Sequence, residues 1–216
     1  MNNETVFSPM FREKANNYLI QAENARKLFL GYDTKELARK FSLKMDEAYL
    51  YAPMMGREYR IERSTGRMEK KIGEAWADGS SFAETLTLFD VLCDSKPGAK
   101  LSGSWKAMRD FGLQFHQGLL EQDDNPDAAF FDAHPEVLTK GCLALGGVPM
   151  PGADLGYAVP AVLGVPVWVQ FWHSDEEFAP RLRYLWDENA LQFIRYETMW
   201  YAVGLLLERI KEEGHQ

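Results

Sequence analysis

The chain has 216 residues, of which 46% are hydrophobic, so it can bury a substantial core without disulfides or a structural metal. Its formal net charge of −8 disfavours a nucleic-acid partner, because proteins that bind nucleic acid present basic surfaces to the phosphates. Residues 1–7 lack the basic start and the apolar stretch of a secretory signal, which favours a cytoplasmic location.

The charges are unevenly distributed along the chain. Residues 1–72 contain 14 Lys and Arg against 10 Asp and Glu, which leaves 10 basic and 22 acidic side chains for the remainder. This asymmetry indicates that a basic segment contacts an acidic surface, either in this chain or in a partner protein. The cations of this basic segment, residues 57–71, are Arg57, Arg60, Arg63, Arg67, Lys70 and Lys71.

Two helices are predicted near the beginning of the chain. Ser8, followed by a proline, has the order of a helix cap and a first-turn residue, and an apolar stripe continues to Phe29 before Gly31 ends the helix. Asp33 is predicted to cap a second, shorter helix. We therefore expect residues 8–42 to form a helical segment that docks on the rest of the domain.

The next part of the chain predicts a hairpin and then a helix. Residues 57–61 and the strand-like run after the turn at residues 64–66 are typical of a small antiparallel hairpin. Ser81 and Glu84 have the spacing of a capping box, in which each side chain bonds the other residue's backbone amide. The apolar residues that follow predict a buried helix.

Residues 155–172 contain no charged side chain, a length that would suffice for a membrane span. Pro160 and Pro166 argue against a span, because lipid cannot satisfy the backbone groups that prolines leave without partners. The unbroken Val, Trp and Phe content of residues 167–172 instead predicts a central strand that is covered on both faces. We therefore expect no membrane partner.

The last part of the chain predicts two strands and a helix. Leu182, Tyr184 and Trp186 alternate with more polar residues, as in a strand, and residues 191–194 are expected to return beside it as a paired strand. A C-terminal amphipathic helix follows. Because helices and hairpins mix without regular βαβ alternation, the chain is predicted to be a single α+β domain over residues 1–216, with antiparallel hairpins, a central buried strand and packed helices.

The predicted functional site is the acidic turn at residues 173–178, which follows the central strand. If the chain stays extended, His173 and Asp175 point to the same side, and Glu176 or Glu177 can turn back to complete an acid/base or metal-binding group. The spacing does not establish such a site, and the residue pattern favours the alternative, a solvated turn whose carboxylates cap the next segment. The candidate ligand-binding residues are Trp172, His173, Asp175, Glu176, Glu177 and Trp186.

Other residues near this turn also admit two interpretations. Arg181 and Arg183 are expected to form a structural ion network with Asp175 or Glu177 rather than a substrate clamp. The late tryptophans either line an aromatic pocket or, as is more common at strand and helix spacing, fill the core.

The two cysteines, Cys93 and Cys142, both fall in apolar helical patterns. Small buried thiols are the expected interpretation, rather than a disulfide framework or a metal cluster. No cofactor, metal or catalytic residue is identified by a sequence motif, so cofactors and oligomeric state remain open.

Several short segments follow one another in an order that is characteristic of a family. They are Ala-Arg-Lys-Phe at 38–41, Gly-Arg-Glu-Tyr-Arg-Ile at 56–61, Leu-Ser-Gly-Ser-Trp at 101–105, Leu-Gly-Gly at 145–147, Ala153-Asp154, Val165-Pro166-Val167, Asp175-Glu176-Glu177-Phe178 and Leu185-Trp186-Asp187. Over most of its length the chain thus resembles the bacterial and archaeal family called domain of unknown function 3786. The resemblance implies a cytoplasmic protein of anaerobes, and some relatives are joined to an iron–sulfur domain. This chain has no cluster-binding set of cysteines, so that cofactor is not carried over.

Two classes of function stay open at this point. The first, which we favour, is an accessory protein of anaerobic metabolism that binds a ligand or a partner protein. The second is an enzyme that uses His173, Asp175, Glu176 or Glu177 for acid/base or metal-assisted chemistry, and it requires at least one further residue that the sequence does not reveal.

Overall fold

The computed structural model describes residues 15–111 and 125–216, and it confirms the α+β class. The described ranges contain six helices and ten strands. The helices are α1 (Ala15–Phe29), α2 (Thr34–Phe41), α3 (Phe82–Asp94), α4 (Pro126–Ala133), α5 (Pro135–Ala144) and α6 (Tyr196–Gly214). The strands are β1 (Lys44–Met45), β2 (Tyr49–Met54), β3 (Arg57–Glu62), β4 (Met68–Ile72), β5 (Ala75–Asp78), β6 (Trp105–Ala107), β7 (Val148–Pro149), β8 (Leu155–Val162), β9 (Val165–Trp172) and β10 (Arg181–Asp187).

All ten strands belong to one open antiparallel sheet. Its order is β5-β4-β3-β2-β8-β9-β10-β6, with β1 beside β2 and β7 beside β8. Helices α3, α5 and α6 contact β8, and the Tyr157 hydroxyl donates to the Thr139 hydroxyl of α5 at 3.2 Å. The face of the sheet that carries Tyr157 is therefore called the helix face, and the opposite face is called the outer face.

The predicted central strand is confirmed on its helix face, whereas Pro166, Trp168 and Trp172 on its outer face are only half-buried. Strand β9 lies between β8 and β10, and the side chains of Val165, Val167, Val169 and Phe171 are at most 1% exposed. Strands β8 and β9 form a hairpin across the charge-free run, so this run turns back on itself. Within the described ranges, no helix combines the length and the apolar character that crossing a bilayer requires.

The elements before the sheet also follow their local signals. The Asp33 side chain accepts a hydrogen bond from the Lys35 amide at 2.8 Å and caps α2, as predicted. Helix α1 ends at Phe29, two residues before Gly31, and its Phe29 ring lies 5.1 Å from that of Phe89 in α3. The predicted start of this helix at Ser8 lies outside the described residues.

The prediction of a strand at residues 191–194 is wrong. Residues Ala190–Gln192 form a short 3-10 helix, and the neighbour of β10 on this side is β6. The cause lies in Asp187, whose carboxylate accepts from the Asn189 amide at 2.8 Å and turns the chain out of the sheet. The same carboxylate accepts from the amides of Ser102 and Gly103, which fastens the loop before β6.

The last two helices pack at unusually short range. A Cβ atom on Gly141 of α5 would lie 2.0 Å from the carbonyl oxygen of Ile210 in α6, so only glycine permits this approach. Both cysteines are free and buried, and burial raises the pKa of Cys93 and of Cys142 to about 12. The thiols are therefore protonated at neutral pH, and their burial agrees with the prediction of small buried thiols.

Candidate functional site

A polar cleft of about 120 Å³ opens between the helix face of β2–β4 and helix α6. An engineered cavity of about 150 Å³ admits benzene, so this cleft can hold a ligand of a few non-hydrogen atoms or several waters. Most of its lining residues are charged or polar. They are Met54, Met55, Arg57, Tyr59, Lys70, Ser81, Glu84, Leu205, Glu208, Arg209 and Glu212.

The carboxylate of Glu84, at the start of α3, joins the helix to the strands. Its Oε2 accepts from the Ser81 amide at 2.5 Å, and the Ser81 hydroxyl accepts from the Glu84 amide, which completes the predicted capping box. Its Oε1 accepts from the Tyr59 hydroxyl at 2.8 Å, and the Lys70 ammonium lies 3.2 Å from both oxygens. The carboxylate that completes the capping box of α3 is thus also the anchor of β3 and β4.

These contacts keep the carboxyl group of Glu84 ionised. Burial alone would raise the pKa of Glu84, but the hydrogen bonds from Ser81 and Tyr59, together with the charge of Lys70, outweigh burial and hold this pKa below its usual value. Burial, followed by the charge of Glu84, raises the pKa of Tyr59. At neutral pH the pair is therefore a carboxylate that accepts from a protonated phenol.

The opposite wall of the cleft is formed by α6. The buried Arg209 side chain donates through Nε to the Met55 carbonyl at 3.2 Å and forms ion pairs with Glu212 and Glu213. Arg57 of β3 reaches across the cleft to Glu212 with an N···O distance of 3.0 Å. The cations of the cleft are therefore matched by carboxylates of the same chain.

Glu208 differs from the other charged residues of the cleft. No hydrogen bond or ion pair to its half-buried carboxyl group is formed by any residue in the described ranges. Burial, followed by the charges of Glu212 and Glu84, raises the pKa of Glu208. Two carboxyl groups of one cleft, Glu84 and Glu208, thus have pKa values shifted in opposite directions, an arrangement typical of binding and catalytic sites.

The basic segment is neutralised within the chain. Arg60 pairs with Glu69 at 2.5 Å, Arg67 with Asp78 at 3.0 Å and Lys71 with Glu58 at 3.1 Å, besides the contacts of Arg57 and Lys70 in the cleft. Arg63 donates instead to the backbone carbonyls of Asp46 and Glu47. The charge asymmetry predicted that the basic segment contacts an acidic surface either in this chain or in a partner protein. The structure shows carboxylates of this chain in contact with it.

The predicted site residue His173 follows β9 and contacts residues outside the acidic turn. Its backbone amide donates to Asp154 at 2.8 Å, and its Nδ1 lies 2.9 Å from Oδ1 of Asp132 in α4. The Ser174 hydroxyl donates to the other oxygen of Asp132 at 2.6 Å. These hydrogen bonds, that from Ser174 first, lower the pKa of Asp132. An ionised carboxylate therefore orients the imidazole.

The three carboxylates of the turn do not join this group. Asp175 Oδ1 accepts from the amides of Glu177 and Phe178, both at 2.8 Å, so its carboxylate closes the turn. Glu176 and Glu177 are exposed, and no described residue forms an ion pair with them or with Arg181 or Arg183. In the part of the chain that the structure describes, no group of three or more His, Cys, Asp and Glu side chains is placed to hold a metal ion.

The two candidate tryptophans lie on opposite faces of the sheet. Trp172 pairs with Arg181 on the outer face, whereas Trp186 pairs with Val167 on the helix face and is completely buried. Because paired residues of adjacent strands share a face, a single pocket cannot be lined by both tryptophans. Trp186 therefore belongs to the core.

The sequence analysis missed Glu208, Arg209 and Asp132. The first two lie on the amphipathic helix α6, where charged residues usually face solvent, and the Met55 carbonyl that Arg209 binds is 154 residues earlier. Asp132 lies 41 residues from His173. Only Glu84 carried a signal, since the capping box placed it at a buried helix start.

The model of the family described as domain of unknown function 3786 (DUF3786) matches residues 33–209. The chain belongs to this family. No curated protein and no solved structure matches this DUF3786 protein. The matched range includes the His173 turn and Glu84, Glu208 and Arg209 of the cleft, whereas Glu212 of the cleft lies beyond it.

Proposed function

We propose that this protein is a ligand-binding accessory protein whose cleft between β2–β4 and α6 holds a small molecule that carries an amine. The observation that carries the proposal is Glu208, the one charged residue of the cleft with no partner among the described residues. A partly buried carboxylate without a hydrogen-bond donor is unfavourable, and a ligand ammonium group would supply both the charge and the donors.

The remaining lining residues support a ligand with an oxygen acceptor at its other end. Arg57, Lys70 and Arg209 contribute N–H groups, and each is already held in place by a carboxylate. Fixed donors need no reordering when a ligand binds, which improves affinity. Small amino acids and amino alcohols have this combination of groups and fit the volume of the cleft.

The test is a thermal-shift screen with glycine, β-alanine, ethanolamine and putrescine, followed by calorimetry for each probe that raises the melting temperature. We expect at least one probe to bind and the variant Glu208→Gln to weaken that binding at least tenfold. Glu197→Gln, the same change on an exposed part of α6, is the matched control and should leave the affinity unchanged. Absence of binding by all four probes, or equal affinity of the wild type and Glu208→Gln, would reject the proposal.

A second candidate function is acid/base catalysis at His173, and the Asp132–His173 hydrogen bond favours it. A carboxylate that holds one ring nitrogen leaves the other directed for proton transfer, as in many hydrolases. In this alternative Asp175 keeps the turn closed, while Glu176 and Glu177 add negative charge near the imidazole.

Hydrolysis of p-nitrophenyl acetate and p-nitrophenyl phosphate tests this alternative. Turnover that falls at least a hundredfold in His173→Gln and about tenfold in Asp132→Asn is the expected result. Replacement of exposed His134 by Gln should change nothing. Activity that is equal in His173→Gln and the wild type would remove the imidazole from the chemistry.

We further propose that the protein works in the cytoplasm, in anaerobic metabolism. Free, buried thiols at both Cys93 and Cys142 support a reducing compartment, and the anaerobic setting is implied by the family resemblance. Fractionation of native cells, followed by immunodetection, checks the location. Recovery in the periplasmic or secreted fraction would contradict it.

A further inference from the structure

Three polar atoms on the outer face of the central strands are buried without a hydrogen-bond partner in the described part of the chain. They are Nε1 of Trp168, Oε1 of Gln170 and Nε of Arg183. Buried polar groups in native proteins are nearly always hydrogen-bonded, and each exception needs an explanation such as a bound molecule. Three exceptions on one surface therefore indicate a common cause.

The strand register places the three residues together. Gln170 and Arg183 are directly opposite each other on β9 and β10, and Trp168 lies two residues before Gln170 on the same face of β9. Directly opposite Cβ atoms are about 4.5 to 5.5 Å apart, within reach of a direct hydrogen bond between long side chains. Gln170 and Arg183 form no such bond with each other, so a third group is needed to satisfy both.

Burial adds to the case, because Gln170 is only 6% exposed although its face is opposite the helices. The loop between β7 and β8 and the first residues of β8, where Gly156 pairs with Gln170, lie beside it. A Cβ atom on Gly152, whose φ is +94°, would lie 3.8 Å from the Gln170 side-chain nitrogen, and one on Gly156 would lie 3.3 Å from Trp168 Nε1. Two residues without side chains thus adjoin the polar atoms.

Charge decides the type of group. Arg183 is half-buried, and no carboxylate of the described ranges forms an ion pair with it, whereas the cations of the cleft are all paired. The expected ion network with Asp175 or Glu177 is not formed. Two N–H donors and a positive charge favour an oxyanion, and the acceptor Oε1 of Gln170 favours an O–H on the same molecule.

We propose that Arg183, Trp168 and Gln170 form a site for a small oxyanion that carries a hydroxyl group. The guanidinium and the indole N–H donate to the anionic oxygens, and the hydroxyl of the ligand donates to the Gln170 amide oxygen. Bicarbonate, hydrogen phosphate and hydroxycarboxylates such as glycolate share this chemistry. The site is on the sheet face opposite the amine-binding cleft and does not depend on it.

The test titrates the ¹⁵N-labelled wild-type protein with bicarbonate, phosphate or glycolate while the indole N–H signals are followed by NMR. Trp168→Phe assigns the Trp168 signal by its disappearance. We expect one of the three anions, and not chloride at equal ionic strength, to shift this signal with saturation. A Trp168 signal that none of the three anions moves would overturn the proposal without any need for a functional variant.

Calorimetry with the same anion then tests the charge. Arg183→Gln should weaken binding at least tenfold, and Arg183→Lys, which keeps the charge but loses the planar fork, should bind with intermediate affinity. Arg181→Gln is the matched control, since Arg181 lies on the same strand and face but is exposed, and its affinity should stay within twofold of the wild type. Equal weakening by both Arg→Gln variants indicates general charge attraction and overturns the proposal, as does a crystal structure with the anion present in which a single water bridges the three atoms.

Discussion

The two halves of the sheet treat polar groups in opposite ways. In β2–β5 nearly every cation lies against a carboxylate of the same chain, and Glu84 alone receives hydrogen bonds from Ser81, Tyr59 and Lys70. In β8–β10 polar atoms of Trp168, Gln170 and Arg183 are buried without partners. Charge pairing in this protein therefore serves folding, and we expect ligands at the surfaces where polar groups have no partner.

The greatest loss of stability is expected for a change at Glu84, in the half of the sheet whose charges are paired, which we call the matched half. Glu84→Gln removes the charge that Lys70 faces and weakens the capping box, so the free energy of unfolding should fall by about 3 kcal/mol. Glu58→Gln is the control, because Glu58 is itself exposed where it pairs with Lys71, and the change should cost at most about 0.5 kcal/mol. Urea denaturation of both variants measures the difference. Similar losses of unfolding free energy in the two variants would mean that a buried carboxylate stabilises this fold no more than an exposed one.

A pH-dependent effect of about 2 kcal/mol is expected at Asp90, where α3 meets the start of α6. Burial, followed by a hydrogen bond with Asp94, raises the pKa of Asp90 from 3.8 to about 6, although Arg195 donates to it. The folded state then binds more protons at Asp90 than the unfolded state between these values, so the contribution of Asp90 to stability is largest below about pH 4 and is lost as the pH rises to about 6.

Asp90→Asn removes this titration. We expect the wild type to lose stability relative to the variant between pH 4 and pH 7, as measured by urea denaturation at four pH values. Taking the difference cancels the groups that the two proteins share. A difference that stays constant over this range would show that Asp90 is ionised throughout.

A smaller effect is expected at Asp187 in the unmatched half, where this carboxylate is an exception because it accepts from backbone amides of Ser102, Gly103 and Asn189. Asp187→Asn keeps one acceptor oxygen and should lower the free energy of unfolding by about 1 kcal/mol. Glu188→Gln, at the exposed neighbouring position, should change it by less than about 0.5 kcal/mol. Equal stabilities would show that the loop before β6 is held by other contacts.

The smallest effects are expected in the acidic turn. Glu176→Gln should leave stability within about 0.5 kcal/mol of the wild type, because no described residue contacts its carboxylate. Asp175→Asn should cost slightly more, since its oxygen closes the turn. Both variants should bind the amine probes and the oxyanion as the wild type does. Loss of either ligand in Glu176→Gln would place the turn in a binding site after all.

The fold was predictable where the signal is local. The caps at Asp33 and Ser81 and the apolar run of β9 each depend on residues within one element, and all three are confirmed. The strand expected at residues 191–194 does not form, because Asp187 binds the distant loop before β6 and turns the chain out of the sheet. Strand β6 then takes the place beside β10. Turn residues at 187–189 fit a hairpin and a 3-10 turn equally well in sequence.

The candidate sites were less predictable, because each depends on residues that are distant in the chain. The position of His173 directly after a strand was predictable, but its partner Asp132 had no sequence signal. Glu208 is a candidate because no described residue forms a hydrogen bond or ion pair with its carboxyl group. A sequence pattern does not show which side chains pair and which do not. The orphaned atoms of β9 and β10 become recognisable only when the register places them on one face.

The shared carboxylate of Glu84 also has a consequence for the order of folding. Starting a helix is costly, and the first turn of α3 obtains its cap from a side chain that simultaneously binds Tyr59 and Lys70 of the hairpin. The helix start and the hairpin should therefore become structured in the same step. Stopped-flow refolding of Ser81→Ala and Tyr59→Phe checks this, since a shared step gives both variants the same fractional effect on the folding rate, whereas sequential steps give different ones.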